Sequence, residues 1–354
     1  MEPAFFISPE VTAQRQEFYG RLNGKNTAPL WEALARLVTP EPRPACVPAA
    51  WSYDELRPLL MEAGRLITAQ EAERRVLVLE NPGVRGLSQI TQSLYAGLQL
   101  VLPGEVTSTH RHMASAIRLI VEGSGAYTAV DGERTTMHPG DFILTPAWTF
   151  HDHGNASPDP VVWLDVLDVP IVNLFDTSFA EHYPDGTQPV TETEGASGLR
   201  YGNNLLPYGY ENRAQARGAA SPVFTYPYAQ TRSVLDGLRR AGAGDPRHGI
   251  KMQFSNPASG GFAMPTIAAF VQSLPAGFAG LPYRSTDATI YCALEGEGRT
   301  QAGATELHWK ARDVFMLPSW CPVSHFAGPE SVLFSFSDRP AQQALGLWRE
   351  QNID

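Results

Sequence analysis

Cysteine is scarce: Cys46, Cys292 and Cys321 are the only three in 354 residues, and none has CxxC spacing. An odd, scattered set does not build a disulfide framework, so reduced thiols in a cytoplasmic protein are expected. Positive charge is also short. Lys and Arg number 27 against 37 Asp and Glu, a formal charge of −10 at pH 7. This argues against nucleic acid as a partner, because phosphate binding needs a basic patch. No run of roughly 18 apolar residues occurs, so no membrane span is expected. The start, Met1-Glu2-Pro3-Ala4, has no basic region leading into an apolar one, so no secretory leader is expected. Charged residues make up only 18%, while Pro (29) and Gly (31) are plentiful. That balance fits many short strands joined by turns. The length suggests about two domains, and 43% hydrophobic residues supply ample core.

The chemistry-bearing residues are concentrated in Pro103–Asn155, PGEVTSTHRHMASAIRLIVEGSGAYTAVDGERTTMHPGDFILTPAWTFHDHGN. His110 and His112 are two apart, so on a strand they share a face at about 6–7 Å, close enough for one metal ion. Ile117–Val121, Tyr127–Val130 and Phe142–Thr145 read as short strands. Asp131-Gly132 is a hairpin signal, and Glu122–Gly125 and Pro139–Asp141 are turns. The run of antiparallel strands returns a third histidine, His151, to the first two. Three imidazoles suit Fe, Zn, Cu or Ni. Strand parity puts Arg118 on the ligand face, where a guanidinium needs an anion such as a carboxylate. His153 shares a face with His151. Asp165 is a carboxylate in an otherwise apolar strand, suited to orienting a histidine or meeting substrate.

The spacing is more specific than the histidines. Gly104, five residues, His110-x-His112 and Gly123 resemble the first motif of the cupin superfamily. Gly140, five residues, Pro146, His151 and Asn155 resemble the second. The resemblance implies a small double-sheet jelly-roll barrel. Two positions depart from the pattern. Ala116 and Ile117 stand where the usual glutamate ligand would be, and Trp148 stands where Gly is usual. A cupin with three histidines and no carboxylate ligand looks like the gentisate 1,2-dioxygenase family, ring-cleaving enzymes that include salicylate and 1-hydroxy-2-naphthoate dioxygenases. The words HRHxxSAxR and WTFHDHGN strengthen that likeness.

The remaining chain divides around this stretch. Residues 8–67, within an N-terminal segment 1–72, are helical in pattern, with Ser8-Pro9-Glu10 as one start and Trp51–Glu55 as another. They read as a cap on a barrel or on a partner subunit. Residues 73–170 form the metal-binding barrel. Arg74–Glu80 is a strand with Arg74, Val76 and Val78 on one side. Ser93–Leu102 places Tyr95, Gly97 and Gln99 on one face and Leu94, Ala96, Leu98 and Leu100 on the core face. Residues 171–262 read as a connecting segment of ordered loops, firmly helical only over Thr231–Arg240. Residues 263–354 repeat the barrel. Leu294–Gly298 follows Val121–Gly125 by 173 residues, and Asp313–Trp320 follows Asp141–Trp148 by 172. His110, His112 and His151 then fall on Tyr283, Ser285 and Val323, and only His325 survives, opposite His153. The fold class is therefore mostly β: a bicupin of two jelly-roll barrels with an N-terminal helical segment. The second barrel lacks metal ligands and ends in a short helix over 340–350.

The family resemblance implies the function. Three histidines leave room on a six-coordinate Fe(II) for an ortho-hydroxy acid and for O2, and the substrate brings the negative charge that the missing glutamate would have supplied. It implies His110, His112 and His151 as metal ligands. Arg118, His153 and Asp165 would be catalytic, with Arg74, Tyr95, Gln99, Arg118 and His153 contacting substrate. The reaction implied is cleavage of gentisate between the carboxyl-bearing and hydroxyl-bearing carbons to maleylpyruvate. Salicylate, 5-substituted salicylates or 1-hydroxy-2-naphthoate are alternative substrates. A non-catalytic metal- or small-molecule-binding bicupin is a rival from a different class. Relatives imply a homo-oligomer, a tetramer.

Overall fold

The computed structural model describes residues 8–210 and 220–353. The chain forms two units, 1–43 and 44–354. In the first, α1 (Pro9–Asn23) starts at Ser8, whose side chain accepts from Val11 N at 3.3 Å, with Pro9 in the first turn as the sequence suggests. A second helix, α2 (Leu30–Leu37), follows. Tyr19 donates to Glu32 at 2.7 Å and accepts from Trp31 Nε1 at 3.0 Å, tying the two helices together.

The second unit contains both barrels. It opens with β1 (Ala49–Trp51), α3 (Tyr53–Leu66) and α4 (Ala69–Ala72). The strands β2 (Val76–Val78), β3 (Tyr95–Val101), β4 (His110–His112), β5 (Ala116–Glu122) and β6 (Ala126–Val130) follow. Then come β7 (Glu133–Thr136), β8 (Phe142–Thr145), β9 (His151–Asn155) and β10 (Val161–Leu167). Helix α5 (Val169–Leu174), β11 (Ala180–His182), α6 (Ala196–Tyr201), β12 (Thr225–Tyr226), α7 (Tyr228–Arg240) and β13 (Ile250–Gln253) lead into the second barrel. That barrel comprises β14 (Ala268–Leu274), β15 (Tyr283–Ser285), β16 (Thr289–Glu295), β17 (Glu297–Ala302), β18 (Thr305–Lys310), β19 (Val314–Leu317), β20 (Val323–Ala327) and β21 (Ser331–Ser337). It ends in α8 (Arg339–Ala344) and β22 (Glu350–Asn352).

Each barrel has one six-stranded and one five-stranded sheet. The first has orders β12-β8-β5-β10-β3-β2 and β11-β4-β9-β6-β7. The second has β1-β19-β16-β21-β14-β13 and β18-β17-β20-β15-β22. The mostly-β bicupin expected from the sequence is the observed fold. The Asp131-Gly132 hairpin has φ of 49° and 82°, the paired left-handed turn that matches strand twist.

The repeat is longer than the motif alignment suggests, and its leading strands are exchanged. Strand β1, inside the stretch read as helical, pairs with β19 of the second barrel, while β12, inside the stretch read as a connection, pairs with β8 of the first. The helices follow the same rule. Tyr53 N donates to Asp313 at 2.8 Å and its hydroxyl to Glu122 at 3.0 Å. Tyr228 N donates to Asp141 at 2.9 Å and its hydroxyl to Glu295 at 2.6 Å. Ser93 donates to Asp338 and Thr266 to Asp168 across the same junction. Helical periodicity at Trp51–Leu60 hid the strand before it, because three residues are too few to show alternation. The C-terminal helix stops at Ala344. The chain ends in a strand on β15, as β11 lies on β4.

One apolar core runs through both barrels. It includes Leu60 of α3, Leu235 of α7, Ile117, Leu164, Phe254 and Phe334, with the Phe142 ring 5.3 Å from that of Phe334. Cys46, Cys292 and Cys321 are unpaired thiols. Among the described residues no helix is long and apolar enough to cross a membrane.

Burial pushes His325 on β20 and His248, just before β13, down to about 3. The unfolded chain takes up protons below the ordinary histidine value near 6.5, and these folded-state side chains only near 3. The unfolded state therefore binds more protons in that window, and stability falls as pH falls through it. Asp338, pushed up to about 6 by burial, and the raised carboxyls of Glu133, Asp165 and Asp168 act in the opposite sense, so the contribution of one histidine is read from the difference between variant and wild type. Replacing His325 with Gln should flatten the decline of Tm between about pH 6.5 and pH 4. A variant profile parallel to that of the wild type would contradict this assignment.

Candidate metal centre

Strand register brings the three histidines together. His110 on β4 lies opposite His151 on β9, and His112 follows two residues later on the same face. Ring centroids are 5.3 Å apart for His110–His112, 4.3 Å for His110–His151 and 4.9 Å for His112–His151. One nitrogen from each falls within 4.8 Å of the others. The donor set fits a metal ion. His112 Nδ1 lies 2.7 Å from Ala114 O, and His151 Nδ1 lies 2.9 Å from Thr149 O. A carbonyl can only accept, so each Nδ1 carries the hydrogen and each Nε2 the lone pair. His151 Nε2 is buried and has no protein partner. Burial drives His110 down to about 3, with Arg74 adding to the shift, and holds His112 below its ordinary value and His151 well below it. All three are therefore neutral ligand donors at pH 7.

The histidines open onto a cavity of about 410 Å³, large enough for a small aromatic acid. Eight of the nine sequence-predicted site residues line it: Arg74, Tyr95, Gln99, His110, His112, Arg118, His151 and Asp165. His153 does not. It is fully buried, its ring 5.8 Å from that of His151 and its Nδ1 3.0 Å from Thr128 Oγ1.

Arg118 finds its anion within the protein. Asp165 stands opposite it in register, with Oδ1 3.1 Å from Arg118 Nε, and the Arg118 Nη1 donates to Thr145. The Nε–Oδ1 approach lacks hydrogen-bond alignment, so the pair is held by charge and both atoms are buried without a hydrogen bond. Trp163 Nε1 donates to Asp165 Oδ2 at 2.9 Å. Asp165 thus orients Arg118 rather than a histidine. Burial raises the Asp165 carboxyl, and Arg118 opposes that rise. Arg74 is the less committed cation. Its guanidinium donates to the Glu73 and Ser108 carbonyls, and its Nη2 lies 2.5 Å from His110 Nδ1. Burial lowers it to about 10, and it has no carboxylate partner among the described ion pairs.

Several wall residues escaped the sequence reading. Leu87, Ser88 and Gln89 come from the loop before β3, and Val169, Pro170 and Asn173 from α5. Neither segment carries a motif, and only the fold brings them to the cavity. Gly97 has a specific reason to be glycine: a Cβ there would sit 2.4 Å from Val76 Cγ1 and 3.1 Å from the Tyr95 hydroxyl.

The cupin domain model matches residues 97–167. The chain is 54% identical to gentisate 1,2-dioxygenase 1 of Aquipseudomonas alcaligenes, over 98% of this chain and 99% of that one. The chain belongs to the gentisate 1,2-dioxygenase family. Another member, the 5-aminosalicylate 1,2-dioxygenase of a Comamonas species, is 36% identical over 92% of this chain and 87% of its own. The crystal structure of salicylate 1,2-dioxygenase from Pseudoaminobacter salicylatoxidans with gentisate superposes with a TM-score of 0.90. It is 30% identical and covers 99% of this chain and 97% of that one. Membership in the gentisate 1,2-dioxygenase family makes the chain an oxidoreductase of the dioxygenase class.

Trp163→Phe keeps the ring and removes the N–H, leaving Asp165 Oδ2 buried without its donor. Urea denaturation should show a loss of about 1–3 kcal/mol. Unchanged stability would mean that Asp165 does not depend on this bond.

Proposed function

We propose that this chain is an Fe(II)-dependent ring-cleaving dioxygenase acting on gentisate. O2 is inserted between the carboxyl-bearing carbon and the adjacent hydroxyl-bearing carbon, giving maleylpyruvate. The observation that carries this reading is a neutral three-histidine cluster with no carboxylate ligand, opening on a cavity with two arginines. The 54% identity to a gentisate 1,2-dioxygenase over nearly the whole chain supports gentisate over other ortho-hydroxy acids. Relatives named for 5-aminosalicylate and 1-hydroxy-2-naphthoate keep substituted salicylates as the second reading.

His110, His112 and His151 would hold the iron. Bound there, Fe(II) supplies a centre where an ortho-hydroxy carboxylate and O2 meet and exchange electron density. The chain's own residues do the positioning. Arg74, a half-buried guanidinium without a carboxylate partner, is placed to take the substrate carboxylate. Arg118, locked by Asp165 and Thr145, keeps a positive charge beside the ligands and favours charge that develops on oxygen. Tyr95 and Gln99, from one face of β3, limit how the ring can turn. Burial and the nearby Asp165 carboxylate raise the Tyr95 hydroxyl, so it stays a neutral donor. Gly97 leaves no room for a side chain between Val76 and the Tyr95 hydroxyl, so any larger residue there would displace one of them. The family resemblance points to a cytoplasmic homo-oligomer, a tetramer.

Oxygen uptake by the Fe(II)-loaded protein tests the proposal. Gentisate should consume an equimolar amount of O2 and yield a ring-opened product. Arg74→Gln should raise KM more than it lowers kcat, because it removes binding common to ground and transition states. Uptake with salicylate or 5-substituted salicylates but not gentisate would replace the substrate. No uptake with any of them would end the dioxygenase reading.

A further inference from the structure

His153 is the sequence-predicted site residue that does not line the cavity, and its surroundings have a counterpart in the other barrel. Thr128 faces it across β6 and β9, with Oγ1 3.0 Å from Nδ1, and the Thr128 hydroxyl donates to Met137 Sδ at 3.4 Å. In the second barrel Thr300 faces His325 in the same register, with Oγ1 2.9 Å from Nδ1. There the place of Met137 is taken by Trp309, whose indole N–H donates to Thr300 Oγ1 at 3.0 Å.

A thioether only accepts and an indole N–H only donates, so the two threonines are driven in opposite directions. In the first barrel the hydroxyl hydrogen goes to sulfur and the oxygen accepts from His153 Nδ1–H. That arrangement makes two hydrogen bonds, and the reverse makes one. In the second barrel the indole occupies the Thr300 oxygen, and the hydroxyl hydrogen is left for Nδ1 of His325. His153 Nε2 therefore bears a lone pair and His325 Nε2 a hydrogen. Both Nε2 atoms are buried without a protein partner. His153 lies two residues from His151 on one face of β9, and Thr128 takes up its Nδ1, so Nε2 is the nitrogen left for the barrel interior.

We propose that Thr128 and Met137 fix His153 in the Nδ1–H tautomer, so that its Nε2 is a hydrogen-bond acceptor for a substrate hydroxyl, and that Thr128 is a positioning residue for ring cleavage. The functional half rests on the ring-cleavage reading, whereas the tautomer rests on the comparison of the two barrels alone.

Neutron diffraction from the Zn(II)-loaded protein in D2O reads the tautomers without turnover. Deuterium is expected on Nδ1 of His153 and on Nε2 of His325. Deuterium on Nε2 of His153, or on both its nitrogens, overturns the assignment. Kinetics test the functional half. Thr128→Val should lower kcat/KM for gentisate by about tenfold or more, with the loss mainly in kcat, and Thr128→Ser should restore it. Thr300→Val removes the same pair from the barrel without ligands, so it should lower Tm as much as Thr128→Val while leaving kcat/KM unchanged. Thr128→Val with wild-type kinetics, or Thr300→Val with an equal kinetic loss, rejects the positioning role. A wild-type enzyme silent toward every ortho-hydroxy acid defeats the ring-cleavage reading, and the deuterium positions still decide the tautomer.

Discussion

Each barrel is closed by a strand from the other repeat, and the rest of the molecule depends on that exchange. Strand β1 lies on β19 and β12 on β8, and each is followed by a helix whose first backbone N–H is held by an aspartate of the barrel it visits. The tyrosine hydroxyl at each helix start then reaches back to a glutamate of its own repeat. Neither six-stranded sheet is complete within one repeat, and the apolar core draws residues from both. The barrel without metal ligands is thus part of the frame that holds β8 and β5 in place, and β5 carries Arg118.

Within that frame the site combines neutral ligands with committed charge. Burial keeps the three imidazoles deprotonated, and backbone carbonyls turn two of them so that Nε2 is free. The buried Arg118–Asp165 pair would be costly if either partner were removed, because the survivor would be left as an unpaired buried charge. It is shared with Thr145 and Trp163, so three residues fix one guanidinium. Arg74, by contrast, rests on carbonyls and a histidine. One arginine is built in and the other is available, a distinction that parity along a strand cannot make.

Much of this was legible in the sequence. The spacing of His110, His112 and His151, the hairpin at Asp131-Gly132 and the recurrence of Asp141–Trp148 at Asp313–Trp320 all depend on short-range geometry that residue types record. Strand parity also put Tyr95, Gln99 and Arg118 on the cavity side. What was hidden depends on pairing between distant segments. Ala49–Trp51 is too short for alternation, and Thr225–Tyr226 shorter still. Tyr53 and Arg57 both meet Glu122, and Tyr228 and Arg232 both meet Glu295, a repeat of sparse contacts rather than of hydrophobicity. Asp165 was visible as an odd carboxylate in an apolar strand, but its partner followed only from register. Trp148 departs from the usual glycine, yet it adopts φ of 59°, as Trp320 adopts 61°. The left-handed backbone is kept, and the indoles carry the Arg111 and Arg284 guanidinium groups on their faces.

The exchange also bears on how such a chain can change over time. A tandem duplication whose copies remain separate can lose one copy and survive. Here, deletion of either copy would strip an edge strand from the other and leave its helix-holding aspartate without a donor. The second barrel can carry Tyr283, Ser285 and Val323 in place of histidines, because chemistry needs only one set, but it cannot be dispensed with. Once interlocked, the two halves became a single heritable unit in which one member specialised and the other was retained for its shape.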